Sequence, residues 1–408
     1  MAKSKILYLC HRIPYPPNKG DKIRSFNLLK ALSEQYEVHL GCFVDDDFDY
    51  QYIDKLAQWC VEYKCRPQKK WRAKLKGLTA FLTGQPITVP YYSDVQLQRW
   101  VDQTLEKYQI DSVVVFSSSM AQFVDKPKYI QLHRVIDFVD VDSDKWRQYA
   151  ENHQGIMRWV YQREHQLLQK AEQHYCERFD HSLFVSPNEA ELFQQLMPSA
   201  LAGKIHPLLN GVDTEFFSPE SAPAKTAQLP VTADGFTLPA RYLVFTGAMD
   251  YWANVDAVQW FADEVWPALV AGDPELKFII VGGNPTAAVK LLAKRPGILV
   301  TGRVEDVRPY ILNALFVVAP LRIARGIQNK VLEAMAMNKI VVASAMAMEG
   351  INAPTSAWLR QSDDAAGFIR HCQELLATPE QQCAARAWII DHFTWQATLR
   401  PLVDWVNP

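Results

Sequence analysis

Short apolar runs recur along the whole chain, each followed by a longer stretch with apolar residues at helical spacing, and this alternation narrows the fold more than any other feature. Residues 5–10, 38–44, 112–116, 135–139 and 182–185 are almost free of charge and read as strands buried on both faces. Residues 21–34 place Ile23, Phe26, Leu28, Leu29 and Leu32 along one helical face, and 156–178 reads as a long helix. The stretch 219–239 is rich in Pro, Ala, Thr and Ser and reads as a surface loop near a domain boundary. The pattern then restarts with strands at 242–246, 277–281, 298–301, 316–319 and 340–343 and a helix over 254–270. Two such blocks predict two open, parallel α/β sheets facing each other, with ligands outside the carboxyl ends of the strands.

Length and charge set the other bounds. A chain of 408 residues is long for one core and suits two α/β domains of about 200 residues each. With 49% apolar and 22% charged residues it is globular, and a net charge of −2 gives no general attraction to nucleic acid. Seven cysteines without a Cys-x-x-Cys spacing read as reduced, mostly buried thiols, which points to the cytoplasm. The first apolar run is too short for a signal peptide, and no run approaches the roughly 18 residues that would span a membrane.

The segment 319–337 concentrates anion-binding chemistry. It follows a strand and opens a helix at about Gly326, where backbone N–H groups lack intrahelical partners. Arg322, Arg325 and Lys330 add three cations. Glu333, two turns into the helix, lies among Val331, Leu332, Ala334 and Met335, and a carboxylate beside a buried face needs a partner such as a ribose hydroxyl. Gly20 likewise lies between a strand and a helix with Lys19, Lys22 and Arg24 nearby; it either approaches a phosphate or is a plain surface turn. Asp137, Asp140 and Asp142 stand at or beyond a strand end, where a carboxylate in a cleft can orient an acceptor hydroxyl or take its proton, and Asp142 or Ser143 suits a helix cap. Residues 302–306, reading GRVED, and 281–285, reading VGGNP, follow strands as βα turns, and no Gly-x-Gly-x-x-Gly occurs. Between Lys64 and Lys76 there are seven basic residues and no acid, with Trp71 and Leu75 among them, and 61–81 suits a basic helical surface.

The run 325–336, RGIQNKVLEAMA, resembles the donor-binding helix of the retaining glycosyltransferase family four. Glu333 matches that family's ribose-binding Glu and Gly326 the first Gly of its turn, while Arg325 stands where a first Glu is usual. Residues 11–24 (HRIPYPPNKGDKIR), Asn210 to Asp213 with Phe216, Phe217 and Pro219, and 245–256 (FTGAMDYWANVD) extend the resemblance over nearly the whole chain. The signature at Asn210 to Asp213 is common to family four, whereas 325–336, 11–24 and 245–256 resemble a bacterial subgroup found with exosortase and exopolysaccharide loci.

The resemblance implies the GT-B fold: two Rossmann-like domains facing across a cleft, spanning 1–212 and 213–390, with a C-terminal helix, 391–408, crossing back to the first. It implies a retaining transfer from a nucleotide-diphosphate sugar to a glycan or lipid-linked acceptor in cell-surface glycan synthesis. His11, Asp137 and Asp140 are its catalytic candidates. Arg322, Arg325, Lys330 and Gly326, with Gly247 and Gly20, are assigned to the diphosphate, Glu333 to the ribose, and Arg303 and Val304 to the base. No metal or other cofactor is expected, since the basic cluster can neutralise the leaving diphosphate. No nucleic acid is expected, and the basic segment suits the inner face of an anionic membrane. A nucleotide-sugar 2-epimerase-like enzyme and a non-catalytic nucleotide-sugar-binding partner share the architecture and stand as alternatives.

Overall fold

The structure is a computed structural model that describes residues 3–151, 153–221, 237–324, 326–354, 356, 358–378 and 384–408. Arg325, Cys383 and most of the 219–239 loop lie outside the described residues. The chain divides into two compact units, one of residues 1–210 with 399–408, the other of residues 211–398.

The first unit holds a seven-stranded sheet in the order β3-β2-β1-β4-β5-β6-β7, every pairing parallel. The strands are β1 (Ser4–Cys10), β2 (Tyr36–Val44), β3 (Glu62–Pro67), β4 (Ser112–Phe116), β5 (His133–Val139), β6 (His181–Phe184) and β7 (Ile205–Pro207). Ile6 to Cys10 and Val113 to Phe116 are at most 1% exposed, as expected of central strands covered on both faces. Strand order reverses between β1 and β4, so His11 and Ser117 leave the sheet side by side at its switch point.

The second unit holds a six-stranded parallel sheet in the order β10-β9-β8-β11-β12-β13. Its strands are β8 (Tyr242–Thr246), β9 (Lys277–Val281), β10 (Ile298–Gly302), β11 (Phe316–Ala319), β12 (Val341–Ala343) and β13 (Leu359–Gln361). Here the order reverses between β8 and β11, which places Gly247 and the segment after Ala319 at the second switch point. The final helix, Trp395–Val406, buries Leu399, Leu402 and Val406. Its end is tied to the first sheet by His133 Nε2 at 2.8 Å from the Trp405 carbonyl and by the Tyr36 hydroxyl donating to Asn407 at 2.6 Å.

Three expectations need correction. The segment 61–81 is not one helix: β3 takes Glu62–Pro67, pairing with β2 so that Cys65 stands opposite Cys42. The helix begins only at Lys70, leaving Lys64 and Arg66 half-buried on the edge strand. The helix expected over 254–270 runs as Trp252–Trp260, a π-helical turn Phe261–Val265, and Trp266–Gly272. Pro267 lacks the N–H that a regular helix would use, and the widened turn absorbs the gap. The donor-segment helix starts at Asn329, because Gly326 takes a left-handed φ of 64° and Gln328 is extended. Glu333 therefore sits one turn in, not two.

Candidate donor and acceptor sites

At the switch point of the first sheet His11 is held on several sides. Its Nε2 lies 3.5 Å from Asp21, its Nδ1 3.4 Å from the Ser117 hydroxyl, and its ring stacks on Phe116 at 5.5 Å. Arg12 bridges Asp21 at 2.5 Å and Asp45, through two bonds of 2.8 and 2.9 Å. Burial works to raise Asp21, but the hydrogen bond from His11 and the Arg12 charge outweigh it and hold this carboxyl at about 2. An ionised Asp21 therefore orients both His11 and Arg12.

The three cations around Gly20 are all paired with carboxylates. Lys19 meets Asp46 at 3.4 Å, Lys22 meets Asp49 at 2.9 Å in the interior, and Arg24 meets Asp137 at 2.8 Å. A side chain at Gly20 would meet nothing within 4 Å, so no close approach demands glycine there. Asp137 is wholly buried, bound by Arg24 and by the backbone N–H of Val139. Asp140 is half-buried with Lys145 2.7 Å away, and Asp142 shares that lysine at 3.3 Å. Burial would lower Lys145, yet the two carboxylates raise it, so this cluster is charged. Asp142 and Ser143 open the helix Asp142–Glu151, but distant carboxylates take its first N–H groups: Glu189 accepts from Val141 and Glu172 from Ser143.

At the second switch point the geometry converges on Lys330. It lies in the first turn of the helix Asn329–Ala336 and reaches back to the loop after β8, donating to Asn254 Oδ1 at 2.5 Å. Its ammonium also sits 4.8 Å over the Phe245 ring. Asn254 is held in turn by its amide donating to the Ala248 carbonyl at 2.9 Å. The loop packs so closely that a Cβ on Gly282 would stand 1.6 Å from the Gly247 carbonyl oxygen; only glycine fits there. Glu333 is half-buried on the same helix as Lys330. Burial pushes its carboxyl up to about 7 against the pull of Lys330, and burial brings Lys330 down to about 8 against the pull of Glu333. Gln328 places no side-chain cap on this helix. A half-buried cation, an uncapped helix start and a desolvated carboxylate one turn on are thus grouped where a diphosphate and a diol can be held.

The remaining assigned residues divide. Arg322 is half-exposed and forms a two-bond ion pair with Asp256, one bond at 3.0 Å, so its charge is already met. Arg303 is exposed and Val304 half-buried in the turn after β10, with Arg303 packed beside Gly283. Sequence reasoning gave no role to Asn254, Phe245, Asp21 or Ser117. Asn254 lies within the 245–256 run, but only the fold brings it to Lys330. Among the described residues, no three His, Cys, Asp or Glu side chains are grouped to hold a metal ion.

Residues 240–378 match the family described as Glycosyl transferases group 1. No curated protein matches the chain. Among solved structures, Anabaena Alr3699/HepE in complex with UDP is similar at 15% identity, with 98% of each chain covered and a TM-score of 0.65. Sucrose-phosphate synthase from Thermosynechococcus elongatus is similar at 16% identity, 98% coverage of each chain and a TM-score of 0.67. WaaG, a glycosyltransferase involved in lipopolysaccharide biosynthesis, is similar at 13% identity over 98% of this chain and 99% of that one, with a TM-score of 0.63. These likenesses establish the architecture, and the matched segment contains the whole group around Lys330: the chain has the GT-B fold, and its residues 240–378 form a glycosyltransferase domain of group 1.

Proposed function

We propose that the protein is a retaining glycosyltransferase that draws on a nucleoside-diphosphate sugar and delivers the sugar to a glycan or lipid-linked acceptor at the inner face of a membrane. The observation that carries this reading is the contact of Lys330 with Asn254 across the second switch point, one turn from Glu333. In the proposed complex Lys330 and the backbone at Gly326 meet the diphosphate, and the Glu333 carboxylate accepts from the ribose hydroxyls. Arg303 and Val304 flank the base. Arg322 joins the diphosphate by exchanging Asp256 for phosphate oxygens. UDP is the first nucleotide to try, because the Anabaena protein was solved with it.

In the reaction the bond from the anomeric carbon to the diphosphate oxygen breaks and a bond to the acceptor oxygen forms. The nucleoside diphosphate leaves with the electron pair, and the acceptor hydroxyl gives up its proton. A fixed cation at the departing diphosphate is worth most here, because its attraction grows as that charge develops. On the first unit, His11, oriented by Asp21 and Ser117, and Asp140 are the groups proposed to receive the acceptor hydroxyl. Asp137, wholly buried and paired with Arg24, is assigned to holding the fold instead.

A thermal-shift screen of UDP-, GDP-, ADP- and CMP-sugars identifies the donor, followed by incubation of the purified protein with that donor and acceptor extracts. Stabilisation by one nucleotide class and a product with the donor's anomeric configuration support the reading. Epimerised donor formed without acceptor, or donor binding without any product, would overturn it.

A further inference from the structure

In sequence Cys60 and Cys65 are the nearest pair of thiols, but the sheet sets Cys65 against a different one. β2 and β3 run parallel with Cys42 opposite Cys65, and β1 in turn sets Cys10 opposite Cys42. Opposed positions on neighbouring strands project to the same face, and such strands lie about 4.8 Å apart. The sulfurs of Cys42 and Cys65 stand 3.5 Å apart and share a hydrogen bond. A disulfide needs Cα atoms about 4.4–6.8 Å apart and sulfurs at about 2 Å. The spacing of paired strands already meets the first condition, and rotation about the Cα–Cβ bonds closes the remaining gap.

The two thiols are not equivalent. β3 is the edge of its sheet, and among the described residues β2 is its one strand neighbour. Cys65 is half-buried, whereas Cys10, Cys42, Cys60, Cys176 and Cys372 are buried. Among the described residues, Cys65 is therefore the cysteine that a dissolved oxidant reaches first. The hydrogen bond with Cys65, and then burial, hold the Cys42 thiol well above the usual range. Cys42 thus keeps its proton beside the more accessible sulfur. That division of labour suits an attacking cysteine with a resolving one at its side.

We propose that Cys42 and Cys65 form a reversible oxidation site that takes hydrogen peroxide or an organic hydroperoxide. The Cys65 thiolate attacks the peroxide and the O–O bond breaks. The departing oxygen takes the proton that Cys65 gave up, leaving as water or alcohol, and Cys65 becomes a sulfenic acid. The Cys42 sulfur then attacks that of Cys65, the S–O bond breaks, and hydroxide leaves as water with the Cys42 proton. Two thiols are oxidised to one disulfide, and the peroxide is reduced by the same two electrons. The bridge closes residues 43–64 into a loop that contains Asp45 and Asp49, the partners of Arg12 and Lys22. Oxidation thereby braces the contacts that anchor the loop after β1 and the helix Gly20–Gln35. The site is independent of the transferase reading.

The test treats the native, fully reduced chain with hydrogen peroxide, removes the oxidant, unfolds the protein in excess alkylating agent and maps the digest by mass spectrometry. The expected product is a cross-link between the Cys42 and Cys65 peptides, two hydrogen masses lighter than the reduced pair and lost on treatment with dithiothreitol. Cys65→Ser should form no bridge and leave Cys42 free to be alkylated. Cys42→Ala should stop Cys65 at the sulfenic acid, which dimedone traps. The oxidised protein should melt at least about 3 °C above its reduced form, a gap that Cys65→Ser abolishes. Should Cys42→Ala fail to fold, the cross-link map of the unaltered chain and Cys65→Ser decide by themselves. A bridge from Cys65 to any other cysteine, Cys65 carried to the sulfinic acid with Cys42 free, a bridge formed only in urea, or equal melting of the two forms would overturn the proposal.

Discussion

Arg24 on the first helix and Asp137 on β5 form an ion pair at 2.8 Å in which neither side chain is more than 1% exposed. The same guanidinium donates to the Leu208 carbonyl and to Asn210 Oδ1, both at 2.8 Å. One cation therefore gathers the first helix, a central strand and the last residues of the first unit's sheet-forming chain. Burial pushes Asp137 up and the Arg24 charge pulls it down. Its place is that of a tie.

Breaking the tie should cost stability rather than chemistry. Asp137→Asn leaves a buried cation without its counter-charge, which destabilises by about 3–5 kcal/mol. The double replacement Arg24→Met, Asp137→Leu should cost much less than the sum of the two single changes, because it removes both charges together. Urea unfolding followed by a probe in the first unit reads both. A fully stable Asp137→Asn protein with lost turnover would return this residue to the catalytic set.

Glu333→Gln should weaken nucleotide binding by removing a charged acceptor, a change of about 1.5–3 kcal/mol, or roughly ten- to 150-fold in Kd. Lys330→Ala should weaken nucleoside diphosphate far more than nucleoside, since its ammonium is assigned to phosphate. Asn254→Ala tests the positioning: with its Oδ1 gone, Lys330 loses its tether, and diphosphate affinity should fall while nucleoside affinity holds. Calorimetric titration with both ligands measures each ratio, and equal losses for nucleoside and diphosphate would refute the phosphate assignment.

The fold was legible because a doubly covered parallel strand has to be apolar throughout, and the runs at Ser112–Phe116, Tyr242–Thr246, Lys277–Val281 and Phe316–Ala319 are read to the residue. The short edge strands β3, β7 and β13 escaped. β3 is almost entirely half-buried and contains Lys64 and Arg66, and β7 and β13 each bury a single residue, so none carries a continuous apolar run. At the candidate donor site, Lys330 and Glu333 were visible because charge inside an apolar helix is unusual. Asn254 was not, since its partner lies 76 positions away and only the neighbouring of β8 and β11 brings them together. The cations at Lys19, Lys22 and Arg24 looked available for phosphate because sequence shows charges and not pairings; Asp46, Asp49 and Asp137 answer them in space.

The donor group should also mark the pH dependence of stability. Glu333 rises from 4.5 to about 7 on folding, so between those values the folded chain holds a proton that the unfolded chain has lost. Stability from this group therefore falls as pH climbs through that window. Lys330 drops from 10.5 to about 8, so the unfolded chain holds the extra proton between those values, and stability rises with pH there. Glu333→Gln should flatten the fall between about pH 4.5 and 7, which melting curves of both proteins across that range would show. Parallel curves would mean that Glu333 is not desolvated in the folded chain.

The basic segment makes the last prediction. Its helix, Lys70–Leu78, presents an exposed Lys69 just before it and holds Lys76 at the Ser93 carbonyl, 2.8 Å away. Three of the seven cations are thus committed or displaced, since Arg66 is also paired with Asp94 and Lys64 is half-buried on the edge strand. Lys69 is exposed, and on the sequence alone we assign the rest of the docking charge to Lys70, Arg72 and Lys74. Each cation near an anionic leaflet contributes about 1 kcal/mol, so four suffice for sedimentation with vesicles containing anionic lipid and not with neutral ones. Salt should weaken the attraction, whose range is about 8 Å at physiological ionic strength. The apolar contribution of exposed Leu75 and Leu78 should survive salt, leaving a residual bound fraction. Replacing the four cations with Gln should abolish the salt-sensitive part and leave UDP binding unchanged, since the proposed nucleotide site lies in the other unit. Unchanged sedimentation of that variant would make the segment an ordinary solvated helix.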